Sequence, residues 1–381
     1  MYTGRTLTEL AKELERQAEV KQDFRAPTTL MTMAVKRNGS ESCRPHAFGV
    51  DDCCINCGAQ KNVTPQLQFS VGDKFTGNPT ELMHDQIGKW SSIPAPYYDR
   101  MRGDAPALLS ANVNHWLRQT KETRLVRTLD GTARAFLSNR YRTIDNFDVA
   151  NATLPVLMNE SKKLGSIEVA SCDVTEKRLY IKVTSKRLTY EVKKGDVVQA
   201  GIVISNSEVG KGSVRIEPFL YRLICLNGAI IEDSAVRKFH LGRQQAELEA
   251  AEEVFRDETR KADDTAFVMK LGDVVRAAFD DENFGRLKGI TIDASTRKIE
   301  APIQDVVEEV ASRYSLRDKY KDSFLKNLIE GGDITQWGLA NAITAIANNA
   351  ESYEHATELE KIGGEIITLP QNKWQELAAA A

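Results

Sequence analysis

Residues 178–192, RLYIKVTSKRLTYEV, followed by VVQAGIVISNS at 197–207 and SVRIEPFLYRLICLNG at 213–228, read as three strands joined by short turns. In the first run Leu179, Ile181 and Val183 alternate with Tyr180, Lys182 and Thr184, so one face is apolar and the other polar and partly basic. That is the pattern of a half-buried antiparallel meander. Lys194-Gly195-Asp196 and the run NSEVGKG from Asn206 to Gly212 supply the punctuation between the runs. A long pattern of strong helix formers follows, from about Arg243 to Phe279.

Working outward, Thr6 and Glu9 form a capping box ahead of an apolar stripe at Leu7, Leu10, Ala11, Leu14 and Ala18. Extended pieces are expected at 28–35 and 66–71. Thr80 is placed to cap the first of two or three helices between 80 and 118, where a DNA-reading helix-turn-helix is one reading and plain packing the commoner one. In LVRTLDGTARAFL, Asp130-Gly131 supplies the positive φ angles that a tight hairpin needs. A helix over 146–163 and a strand over 166–174 lead into the meander. Residues 285–300 read as a loose connection, helices are expected near 304–314, 318–328, 335–347 and 352–361, and Glu365–Leu369 reads as extended after a joint at Gly363-Gly364.

The fold class is therefore α+β: a central antiparallel β-meander with a β-β-β-α core, a basic β-hairpin, an N-terminal zinc knuckle and a mainly helical C-terminal part. Three regions are expected: 1–118 with the knuckle at 43–57, 119–285 as the sheet-and-helix core, and 286–381 as the helical region. No run of eighteen apolar residues exists in the 381, and the amphipathic start is no signal peptide, so the expectation is a cytoplasmic protein in a bacterial host cell, with no membrane partner.

The net charge of −3 conceals an asymmetry. Residues 118–142 hold seven Lys/Arg against two Asp/Glu and residues 162–194 nine against four, whereas 247–309 hold nine against seventeen. A basic middle ahead of an acidic helical part points to an anionic partner for the sheet. Basic residues interleaved with aromatics suit single-stranded DNA, because Lys and Arg track phosphates while Tyr stacks on an unpaired base. The candidate contacts are Arg124, Arg127, Arg134, Arg140, Tyr141, Arg142, Tyr180, Lys182, Lys186, Arg187, Arg215 and Arg222. The same residues also fit solvated rim and buried core.

Cys43-Arg-Pro-His46 and Cys54-Ile-Asn-Cys57 place two ligand pairs on neighbouring knuckles, a donor set that fills tetrahedral zinc and leaves no open position. The expected cofactor is structural Zn2+, with Cys53 an alternative to Cys54. Unbound thiols, or an iron or redox site, are the other readings of that cluster. No phosphate loop, H-E-x-x-H or nucleophile elbow is present, and Asp280, Asp281 and Glu282 read as a capping surface, so no catalytic residue is expected.

GIVISNSEVGKGSVRIEPFLYRLICLNG (Gly201–Gly228), SIPAPYYDRM (Ser92–Met101), FLSNRYRTIDN (Phe136–Asn146) and TQWGLANAIT (Thr335–Thr344) resemble the phage/plasmid-like protein family, a domain-of-unknown-function group carried by phages, plasmids and prophages. The resemblance implies a mobile-element setting. In strand and helix order alone, the meander with its helix is similar to phage single-strand annealing proteins of the RecT and Redβ type. Together these lead to a single-stranded DNA-binding protein that promotes strand annealing in recombination, as a homo-oligomeric ring or filament, alongside host or phage replication and recombination proteins. Two alternatives stand beside it: an interaction module or host-enzyme inhibitor using the acidic helical surface, and a metal-dependent enzyme acting on nucleic acid.

Overall fold

The computed structural model describes residues 2–36, 66–159, 161–231, 239–240 and 257–379. The chain divides into two compact units, Arg16–Thr143 and a larger one made of Met1–Glu15 with Ile144–Ala381. The division falls inside α1 (Leu7–Val20), whose start is closed by the expected capping box: the Thr6 amide donates to Glu9 Oε2 at 2.8 Å and the Glu9 amide to Thr6 Oγ1 at 3.2 Å. This grouping differs from the three regions expected from sequence. The basic hairpin belongs with the smaller unit, and the helices after 285 belong with the meander.

In the smaller unit the elements run β1 (Gln22–Pro27), β2 (Met31–Lys36), β3 (Gln66–Val71), β4 (Phe75–Pro79), α2 (Glu81–Trp90), α3 (Ala95–Asp104), α4 (Pro106–Thr120), β5 (Thr123–Leu129) and β6 (Thr132–Ser138). They form a sheet of order β1-β5-β6-β4-β3-β2, antiparallel except where β4 meets β6. Asp130 and Gly131, at φ 50° and 71°, make the expected turn between β5 and β6. Apolar residues at i, i+4 and i+8 of α4, Leu109, Val113 and Leu117, pack with Met83 and Ile87 of α2 and Tyr98 and Met101 of α3 onto Met31, Met33, Phe69, Val126 and Phe136. The helices over 80–118 are thus the cover of this sheet. Each such buried side chain contributes about 1.5–3 kcal/mol over its exposed state.

The larger unit contains α5 (Asn146–Asn159), α6 (Ser161–Leu164), β7 (Ile167–Val174), β8 (Leu179–Lys193), β9 (Asp196–Asn206), β10 (Arg215–Arg222), β11 (Asn227–Ile230), β12 (Phe239–His240), α7 (Asp257–Ala278), α8 (Asp281–Thr296), α9 (Ile303–Arg313), α10 (Asp318–Gly331), α11 (Gln336–Ile346), α12 (Tyr353–Thr368) and α13 (Gln371–Ala378). The expected meander β8-β9-β10 is present and antiparallel, extended to order β11-β10-β9-β8-β7, with β12 also pairing β10. It is not half-buried. Leu179, Ile181, Val183, Ile202 and Ile204 share a core with Val149 and Leu157 of α5 and Leu271 and Val275 of α7. On the other face Tyr180, Val203, Phe219 and Ile230 pack with Tyr353 of α12.

Two segments differ from the sequence reading, each for a tertiary reason. Residues 285–300 are mostly helix: Asp280 caps α8 by accepting from the Asn283 amide at 2.7 Å, and Leu287, Thr291 and Ala294 are buried along one side, which outweighs the glycines and β-branched residues. Gly363-Gly364 is no joint and residues 365–368 are not extended: all lie inside α12. A Cβ on Gly364 would stand 1.8 Å from the Ile230 carbonyl oxygen, so these glycines let the helix press onto β11.

Candidate nucleic-acid interface

The alternation in β8 does place its polar residues on one side, but that side is covered. Lys182 pairs in register with Val203, and Val203 with Glu217, so the three form one row across the sheet beneath α12. Lys182 and Glu360 of α12 are both 0% exposed, and the ammonium bonds Glu360 Oε2 directly. Thr357 Oγ1 at 3.3 Å and the Tyr353 ring, 4.6 Å from Nζ to its centroid, complete the surroundings of Lys182. Burial pushes the Lys182 ammonium down and the Glu360 carboxyl up, each toward its neutral form, while the contact between them opposes both movements. Further along the row, Glu217 lies 3.7 Å from both Arg215 and Lys361. Tyr180 is buried against Tyr353, and burial raises its phenol to about 12.

Lys182 and Tyr180 therefore meet α12 and not a polymer. Arg215 is committed to Glu217, and Arg222 to Asp196, whose other oxygen accepts from Trp337 Nε1 at 2.8 Å. Lys186 and Arg187 lie where the β8–β9 register shifts, and both reach the surface. Each is nonetheless neutralised, Lys186 by Glu168 at 2.5 Å and Arg187 by Asp281, with Arg187 also donating to the Phe279 carbonyl.

In the smaller unit Arg127 and Arg134 are buried; Arg127 donates to Asp23 Oδ1 at 2.9 Å from the register-paired position on β1. Arg124 donates to Glu122 at 2.6 Å and lies over the Trp90 and Phe136 rings at 5.7 and 5.3 Å. Arg124 and Arg127 serve the sheet, because a guanidinium taken out of water needs a carboxylate or a ring beside it. Arg140 is exposed, and Tyr141 and Arg142 are half-buried. Arg25 fixes their turn by donating to the Asn139 carbonyl and, at 3.2 Å, to that of Tyr141.

The structure also offers residues that sequence reasoning passed over. Trp116 on α4 is 42% exposed with its ring against His115, and Arg118 and Lys121 are exposed around the end of the same helix. Arg16–Thr143 carries eighteen Lys/Arg against twelve Asp/Glu, and the rest of the chain thirty-three against forty-two. The sign change along the chain was readable; the way the fold sorts it was not, because the basic residues of 162–194 belong to the acidic unit.

Cys43, His46, Cys54 and Cys57, with Cys53, lie outside the described residues. Among the described residues no cluster of His, Cys, Asp or Glu has the makings of a metal site, and no helix is long and apolar enough to cross a membrane.

These features define a mixed α+β protein with two antiparallel-rich sheets and a helical C-terminal part. Residues 135–362, more than half of the chain, match the family model described as a domain of unknown function, DUF932, and the chain belongs to that family. No curated protein and no solved structure matches it.

Proposed function

We propose that the protein binds single-stranded nucleic acid and that the smaller unit is the binding body. The observation that carries this reading is the sorting of charge: a net positive Arg16–Thr143 beside a net negative remainder. Within it, exposed Arg118, Lys121 and Arg140 supply phosphate contacts and Trp116 a stacking plane. In its finer form the activity is pairing of complementary strands by an assembly of copies, in the mobile-element setting that the sequence resemblance implies, with zinc on the cysteine knuckle bracing the smaller unit.

Full-length protein titrated with a fluorescent oligonucleotide tests this. Neutralising about six phosphates gives a log–log salt slope near −4 for a single strand. Combined Arg118→Glu, Lys121→Glu and Arg140→Glu should flatten that slope, and Trp116→Ala should cost about 1–3 kcal/mol of binding. No binding at low salt overturns the proposal; wild-type affinity in the triple variant moves the site elsewhere.

A further inference from the structure

The turn that joins α9 to α10, Tyr314-Ser315-Leu316-Arg317, faces one side of α12. His355, Glu358, Leu359 and Ile362 stand at i, i+3, i+4 and i+7 of α12, so they form a single stripe on that side. Between turn and stripe lies a cavity of about 120 Å³, well below the size of a cofactor site and suited to a ligand of a few heavy atoms. Its depth is aliphatic: Leu359 is buried, and Leu316 and Ile362 are half-buried. Its mouth is polar, with Arg317 and Glu358 exposed and His355 half-buried.

The polar groups are ordered along the helix. At one end His355 Nδ1 and the Tyr320 hydroxyl share a hydrogen bond at 3.2 Å, and at the other Tyr314 bonds Glu365. Burial, then the nearby Arg317, hold the His355 imidazole below its ordinary value, so it offers a hydrogen bond and not a charge. Glu351 takes one Arg317 nitrogen at 2.5 Å and is shared with Lys319, while Asp318 is taken by Lys321. Three cations therefore face two carboxylates at this end, and the Arg317 guanidinium keeps donors to spare. Glu358 lies one turn beyond His355, about 4.5 Å along the axis. It has no ion-pair partner among the described residues.

We propose that this cavity binds a free aliphatic α-amino acid, with the carboxylate on Arg317 and His355, the ammonium on Glu358, and the side chain over Leu316, Leu359 and Ile362. A fatty acid of the same size would meet the unpaired Glu358, and an amine would meet the surplus of positive charge around Arg317. A zwitterion satisfies both ends at once, since its two charges stand about as far apart as the groups that receive them. The inference does not depend on nucleic-acid binding and is tested without it.

Calorimetric titration of full-length protein with L-valine should show saturable binding in the millimolar range or tighter. Two analogues each lack one charge: 3-methylbutanoate has no ammonium and isobutylamine no carboxylate, and each should bind at least tenfold more weakly. Glu358→Gln should abolish the preference for valine over 3-methylbutanoate, and Arg317→Met the preference over isobutylamine. Both side chains are exposed and an exposed ion pair adds little to stability, so far-UV circular dichroism and melting of the two variants should stay at wild type. Absence of saturable valine binding overturns the proposal. So does binding of either analogue as tight as that of valine, or a valine affinity unchanged in either folded variant.

Discussion

Lys182 of β8 and Glu360 of α12 meet with neither side chain exposed, so one ion pair fastens the last long helix to the centre of the sheet. Two charges taken out of water gain little over a well-packed apolar pair, but leaving one alone is expensive. Lys182→Met should therefore cost about 3–5 kcal/mol in urea unfolding, and Lys182→Met with Glu360→Leu should recover most of it. Oligonucleotide affinity of the folded double variant should equal wild type, since neither group reaches the surface.

His84 gives the smaller unit a pH dependence. Its ring is buried on α2, Nδ1 and the Tyr98 hydroxyl share a hydrogen bond at 2.8 Å, and burial pushes the imidazole down to about 4. Below its ordinary value near 6.5 the unfolded chain takes up a proton that the folded one refuses, so stability is full above that point and falls as pH drops toward 4. The loss amounts to about 3 kcal/mol. Melting curves between pH 7 and pH 4 should show it, and His84→Leu should flatten this part of the slope while lowering the starting value.

Two glycine substitutions should move stability in opposite directions. Gly364→Ala drives a methyl into the Ile230 carbonyl and should cost about 2 kcal/mol or more, despite the better helix propensity of alanine. Gly289→Ala, in α8, meets nothing within 4 Å and should stabilise by about 0.5–1 kcal/mol. Denaturant midpoints of the two variants provide the comparison.

Metal analysis of protein purified without chelator should find zinc in stoichiometric amount, reduced by Cys54→Ser with Cys57→Ser. Equal zinc in that variant would falsify the assignment of the knuckle.

What could be read in advance was local. The Thr6–Glu9 box, the Asp130-Gly131 turn and the alternation in β8 depend on neighbours a few residues apart, and all three stand. The misplaced DNA contacts were a question of what covers the sheet. Tyr180, Lys182 and Arg215 do share a side, but a helix nearly two hundred residues later in the chain brings Glu360 and Lys361 over it. Gly363-Gly364 misled for the same reason: their purpose is set by a backbone that only the folded chain supplies.

The grip of α12 on β11 also bears on how this protein can be cut. The family match stops at residue 362, two positions short of Gly364, yet Gln336 donates to the Ile366 carbonyl and the Ala301 amide to that of Ala378. At the other end Leu10 and Leu14, far upstream of residue 135, belong to the same core. A fragment trimmed to the matched limits would shed both flanking pieces and bare the outer strand of its sheet, so material made that way should precipitate for want of its own wrapping.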